Sequence, residues 1–186
     1  MAAELTIAPG ILVAMPQLND PNFRRSVILV AEHNEEGSFG LILNKPTEDL
    51  VCNLISSLEM DWCGDEQAEV WTGGPVQPET GWVLHEPVPG LGEPATREIF
   101  DGVHLTAAPG ALAVLVSRPP PRMRVLLGYA GWGPGQLESE LTGGSWVNAP
   151  LSADLVFDTP CEYQWEASVR LLGVDPEALA PASGIH

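Results

Sequence analysis

The sequence predicts an α+β domain built on a mainly antiparallel sheet, and three observations carry that prediction. β-branched apolar runs are joined by short turn-forming links, as in hairpins. Helical periodicity is confined to brief segments between them. The two kinds of element alternate without the regular strand, helix, strand rhythm that a doubly wound parallel sheet requires. The 186 residues include 23 Leu, 7 Ile, 16 Val and 4 Phe, enough for one core, and a single compact domain over residues 1–186 is expected. Pro119-Pro120-Pro121 has apolar sequence on both sides, which favours a rigid surface turn over a boundary between lobes.

Taken in order, Ile11–Ala14 reads as a short strand, followed by a turn-rich segment holding Asn19-Asp20-Pro21. Ser26–Glu32 is a continuous apolar run suited to a strand buried on both faces. Phe39–Leu43 is its hairpin partner, because Asn34-Glu35-Glu36-Gly37 supplies the turn. Leu50, Leu54 and Leu58 recur every four residues after Glu48 and Asp49, predicting an amphipathic helix with an acidic first turn. Val70–Thr72 and Gly81–His85 read as strands joined by the bend Gly73-Gly74-Pro75-Val76. Residues 86–102 read as a surface loop with a short strand near Glu98–Phe100. Ala108–Ser117 is a buried helix with Pro109 in its first turn. Arg122–Leu127 is a strand that delivers the chain into the bend Gly128–Gly135, and a short helix with Leu137 and Leu141 follows, capped by Gly143. Ser145–Val147 and Asp154–Phe157 read as further strands. Thr159-Pro160-Cys161-Glu162 matches a capping box for a last helix with Trp165, Val169 and Leu172 as its stripe and Gly173 as its stop.

Acidic residues outnumber basic ones 25 to 8, giving a formal charge of −17. Such a balance repels polyanions, so nucleic acid is not an expected partner. Arg24-Arg25 and the group Arg118, Arg122 and Arg124 read as solvated cations on an acidic surface. No apolar stretch approaches the roughly 18 residues of a membrane-spanning helix, and the first residues lack the basic start and apolar centre of a secretory leader. A cytoplasmic protein with no membrane partner is expected. The three cysteines are widely spaced, which predicts reduced thiols rather than a disulfide framework.

Chemistry is thinly marked. Gly128–Gly135 spaces glycines before a helix, which would present backbone N–H groups to an anion, but it lacks the lysine and hydroxyl of a phosphate-binding loop and does not match the dinucleotide fingerprint. No cofactor is therefore expected. His33, His85 and His104 lack metal-ligand spacing, so no metal is expected either. Glu138 and Glu140 point about 200° apart on a helix and read as solvent-facing. The six tryptophans read mainly as core. Cys161, near the start of a helix, is the thiol most exposed to a pKa-lowering dipole, opposed by Glu162 beside it. If the two glycine bends lie side by side, they frame a groove with Trp71, Trp82 and Trp132 as walls.

Pro9-Gly10-Ile11-Leu12-Val13-Ala14-Met15-Pro16 and Asp20-Pro21-Asn22-Phe23-Arg24-Arg25-Ser26-Val27, running on to Gly40-Leu41-Ile42-Leu43-Asn44-Lys45-Pro46, resemble the N-terminal signature of the bacterial YqgE/AlgH family. Gly73-Gly74-Pro75-Val76 with Gly81-Trp82-Val83-Leu84-His85, and Leu127-Gly128-Tyr129-Ala130-Gly131-Trp132-Gly133-Pro134-Gly135-Gln136-Leu137-Glu138, resemble two others, in the same order. The resemblance implies a branched, partly barrel-like sheet surrounded by helices, in a bacterial cytosolic protein. It implies no catalytic residues, and no helix-turn-helix with a basic recognition helix supports a direct DNA-binding role.

The functional expectation is a module that binds an unidentified small molecule or protein partner, with Gly73, Gly74, His85, Tyr129, Gly131, Trp132, Gly133 and Gln136 at the site. The alternatives are a hydrolase using Cys or Ser with His85 or His104, which requires such a pair in an open cleft, and a transcription-linked regulator.

Overall fold

The apolar runs near the N-terminus set the frame of the computed structural model, which describes residues 6–179. Strand β1 (Gly10–Ala14) pairs antiparallel with β2 (Val27–Asn34), Ile11 opposite Leu29 and Val13 opposite Val27. The pleat sends successive side chains to opposite faces. Ile11, Val13, Val27 and Leu29 enter one core cluster, while Leu12, Ile28 and Val30 enter a second. That is why neither run alternates with polar residues. β3 (Gly37–Ile42) returns from β2 through Glu35 and Glu36, with Asn34 opposite Gly37, the hairpin that the sequence predicts.

Beyond it come β4 (Pro46–Leu50), helix α1 (Val51–Ser57), β5 (Glu69–Thr72), β6 (Val76–His85), β7 (Thr96–Phe100), β8 (Val103–Thr106) and α2 (Pro109–Ser117). The chain then runs through β9 (Met123–Trp132), α3 (Gln136–Thr142), β10 (Trp146–Ala149), α4 (Ala153–Phe157), α5 (Cys161–Leu171) and α6 (Pro176–Leu179). The main strand order is β10-β1-β2-β3-β9-β6-β8-β7, and the β4–β5 pair branches off at β9. β9 is the shared element. Its first half lies between β5, which runs parallel to it, and β6, which runs antiparallel; its last residues pair with β3. Every other pairing is antiparallel. A third cluster, with Val51, Ile55, Val70, Leu115 and Val125, packs α1 and α2 onto β5 and β9. The α+β class with a mainly antiparallel, branched sheet is as predicted.

Four local expectations are corrected. Asp154–Phe157 is helical rather than extended, because Ser152 Oγ accepts the Leu155 N–H at 3.1 Å and caps the turn. The Thr159 capping box does not form: Pro160 is the N-cap of α5, and Thr159 Oγ1 donates to the Asp154 carbonyl at 3.3 Å. Glu48 and Asp49 belong to β4, and α1 buries Val51 and Ile55 while Leu58 is exposed; the leucine spacing points to the wrong stripe. The Gly73-Gly74 bend joins β5 to β6 as expected, and both strands pair with β9. Gly128–Trp132 is strand, and only Gly133–Gly135 turns the chain into α3.

Candidate functional site

The two glycine segments meet, backbone against backbone. After β5 the chain crosses β9, with the Gly73 N–H donating to the Leu127 carbonyl and the Ile42 N–H donating to the Gly73 carbonyl, both at 2.8 Å. A Cβ on Gly74 would lie 2.1 Å from the Tyr129 carbonyl carbon, and one on Gly128 would lie 2.3 Å from the Gly74 oxygen. Gly74 and Gly128 also hold φ of +155° and +76°, a region that favours glycine. The contact leaves no space for a ligand between the segments, and Gly73 and Gly74 are buried.

A recess opens beside the crossing instead, with a volume of about 440 Å³. It lies between the β2–β3 hairpin tip and a bulge in β6, where pairing with β9 skips from Val76 to Gly81. Phe39, Trp82 and Tyr129 wall it, with ring centroids 4.8 Å (Phe39–Trp82), 5.1 Å (Phe39–Tyr129) and 6.2 Å (Trp82–Tyr129) apart. The rim is polar, with Asn34, Gln77 and Thr80, and acidic, with Glu32 and Glu36. Trp82 Nε1 is shut off from solvent and has no acceptor among the described residues. Tyr129 and Trp132 of the expected set line this recess; Trp71 does not. Gly131 is exposed opposite Phe39 in the ladder.

Gly133 and Gln136 do different work. The Gly133 N–H donates to Gln136 Oε1, and Gln136 Nε2 donates to Glu140 Oε1, both at 3.0 Å. Glu140 Oε2 accepts the Trp132 and Trp146 indole N–H groups at 3.0 and 2.8 Å. Glu140 is therefore the acceptor for two buried indoles rather than a solvent-facing carboxylate, and this network fastens α3 to the sheet.

His85 is fully buried and away from the recess. Its Nδ1 lies 2.7 Å from the Glu86 carbonyl, which can only accept, so Nδ1 carries the proton and Nε2 accepts from Thr106 Oγ1 at 2.8 Å. Thr96 Oγ1 lies 2.6 Å from the same hydroxyl. Burial pushes the imidazole pKa down, despite the Glu86 carbonyl, so His85 is neutral at neutral pH. The His104 ring is its neighbour at 5.8 Å, and neither histidine hydrogen-bonds a serine or cysteine. The hydrolase expectation fails at both positions.

His33 is the histidine that does find a serine. Glu35 and Glu36 form the hairpin turn, so His33 and Ser38 are cross-strand partners, and His33 Nδ1 lies 2.6 Å from Ser38 Oγ. His33 Nε2 lies 3.1 Å from Glu138 Oε1 on α3. The carboxylate places the proton on Nε2, so Nδ1 accepts from the Ser38 hydroxyl. The hairpin prediction contained the His33–Ser38 contact; nothing local marked Glu138 as its third member.

The remaining candidates are plain. Burial and the adjacent Glu162 carboxylate push the Cys161 thiol up, contrary to a dipole-activated thiolate. All three cysteines are unbridged. Among the described residues no group of three or more His, Cys, Asp or Glu could hold a metal ion, and no helix is long and apolar enough to cross a membrane.

A family model described as AlgH-like matches residues 11–177. A UPF0301 protein of Anaeromyxobacter dehalogenans (strain 2CP-C) is 42% identical over 185 residues, covering 96% of this chain and 94% of the relative. One of Myxococcus xanthus (strain DK1622) is 40% identical over 181 residues, covering 97% and 98%. The solution structure of the AlgH protein from Pseudomonas aeruginosa superposes with a TM-score of 0.77 at 31% identity over 100% of this chain and 99% of that one. The crystal structure of protein DIP2367 from Corynebacterium diphtheriae gives 0.71 at 28% identity, covering 91% and 89%. The sheet is the curled half-barrel expected from the resemblance. A match that spans nearly every described element, with relatives at about two-fifths identity along their full length, shows that the chain belongs to the AlgH-like, or UPF0301, family.

Proposed function

We infer that the chain is a small-ligand-binding, regulatory module of the bacterial cytosol, and that its ligand occupies the recess walled by Phe39, Trp82 and Tyr129. The observation that carries this reading is the Trp82 indole N–H, sealed from water without an acceptor in the aromatic wall of an open recess. Unmet donors of this kind are uncommon in folded proteins, and this one belongs to a ring that lines the recess. The three clustered rings suit a planar molecule. Glu32 and Glu36 on the rim favour an uncharged or cationic ligand over an anion. The glycine crossing beneath gives Tyr129 a rigid base, which lowers the entropy lost on binding.

The test is an NMR titration with a panel of planar neutral and cationic heteroaromatic fragments. Members of the panel are expected to shift Phe39, Trp82 and Tyr129 saturably, and Trp82→Leu to weaken that binding at least tenfold with unchanged circular dichroism. Shifts confined to other parts of the chain would refute the assignment.

A second reading rests on Ser38, His33 and Glu138, whose contacts make the serine a candidate nucleophile with an oriented base. The pleat works against it, because Ser38 and Phe39 are adjacent in β3 and direct their side chains to opposite faces. Ser38 nevertheless lines the same recess as the three rings. This hydrolase reading requires a fluorophosphonate probe to label Ser38, with labelling lost in His33→Gln. An unchanged intact mass after incubation with the probe eliminates it.

A further inference from the structure

Arg122, just before β9, and Arg124, its second residue, are two positions apart, yet the fold treats them oppositely. Arg122 pairs with Asp154 and Asp158. Among the described residues Arg124 forms no ion pair within 4.0 Å: its guanidinium lies 4.0 Å above the Trp71 ring, and its Nη2 reaches only the Phe157 carbonyl, at 3.5 Å. Its Nε and Nη1 are shut off from solvent and have no acceptor. Asp158, whose charge acts on Arg124, already gives both its oxygens to Arg122. Burying a cation without a partner is costly, and the stack on Trp71 recovers only part of that loss.

The same arginine lines a cavity of about 440 Å³ between the loop after α1 and the proline turn before β9. Trp62, Trp71, Phe157 and Pro120 are among its walls, so flat rings face a space whose lining is more polar than apolar. Asp65 and Glu69 also line it, and neither pairs with Arg124.

We propose that this cavity is a binding site for a small aromatic monocarboxylate, whose carboxylate accepts from the Arg124 guanidinium and whose ring packs among Trp62, Trp71 and the prolines. Guanidinium and carboxylate are matched in charge and in hydrogen-bonding capacity, and Nη2, whose only partner is the Phe157 carbonyl at 3.5 Å, is the nitrogen not closed to the cavity. Asp65 and Glu69 repel any anion, and a multiply charged one more strongly, so Arg124 can hold no more than a single negative charge there. The site is separate from the Phe39–Trp82–Tyr129 recess and stands or falls independently of it.

Benzoate and its uncharged isostere benzamide test the site on the full chain, by calorimetry and by the indole N–H signals of Trp62 and Trp71. Benzoate is expected to bind saturably and to move both signals, with benzamide at least tenfold weaker. Arg124→Met is expected to abolish the benzoate response while keeping or raising the melting temperature, because it removes an unpaired buried charge. Equal binding of benzoate and benzamide, or no saturable response to benzoate, would overturn the proposal. So would undiminished binding by Arg124→Met. A variant that unfolds or melts markedly lower would show Arg124 to be a structural cation, and would overturn the proposal equally.

Discussion

Gly74→Ala is expected to prevent folding. The added methyl would sit 2.1 Å from the Tyr129 carbonyl carbon, 2.2 Å from its oxygen and 2.4 Å from the Ala130 nitrogen, and all three are backbone atoms that no side-chain rotation can move aside. The residue would also keep a φ of +155°, which a Cβ disfavours. Relief requires β9 to shift, and β9 pairs with β3, β5 and β6. A loss above about 4 kcal/mol is expected, a range reached by few single substitutions and comparable to the whole stability of many domains. Gly131→Ala is the control, since its new methyl would meet nothing closer than the Tyr129 ring edge at 3.3 Å; it should lose no more than about 1 kcal/mol. Urea unfolding followed by circular dichroism measures both. A cooperative Gly74→Ala transition near that of the parent would mean that the crossing is not as described.

Glu140→Ala is expected to have the next largest effect, although Glu140 lies on a short surface helix. One oxygen of this carboxylate accepts from two indoles, Trp132 and Trp146, which are 6% and 2% exposed. Removing it strands two buried donors at about 1–3 kcal/mol each, so a loss of roughly 2–5 kcal/mol follows. Glu140→Gln keeps an acceptor oxygen and should retain most of the stability. Combining Glu140→Ala with Trp132→Phe removes one stranded donor together with its acceptor, so the double variant should lose less than the two single losses added together. Denaturant midpoints decide this, and strict additivity would rule out the shared acceptor. Because the same carboxylate also fixes Gln136, its loss should loosen α3 and the Glu138–His33 contact with it.

Elements with a local cause were legible in the sequence. The β2–β3 hairpin follows from two apolar runs around a turn, and α2 follows from Pro109 at its start and the proline run at its end. Where several local signals competed, the wrong one prevailed. The Ser152 cap was overlooked beside the β-compatible Leu155-Val156-Phe157, and the Leu50, Leu54 and Leu58 spacing concealed the Val51 and Ile55 face that the third core uses. The glycine pairs marked two segments that do converge, but periodicity carries no information about whether such segments enclose space or fill it. Glu140 and Arg124 were unreadable for a different reason. Each depends on partners brought or withheld by distant strands, and a single chain of letters does not show what a side chain lacks.

The role of β9 as common neighbour has a consequence during synthesis. A growing chain that ends before Met123 has already made β3, β5 and β6, and each of them then carries one row of backbone donors and acceptors that only β9 will later occupy. Exposed rows of this kind invite pairing with other chains. The interval in which about two-thirds of the polypeptide has emerged and its last shared strand has not is therefore when association between nascent copies threatens most, and when a chaperone that masks strand edges would raise the yield of native protein.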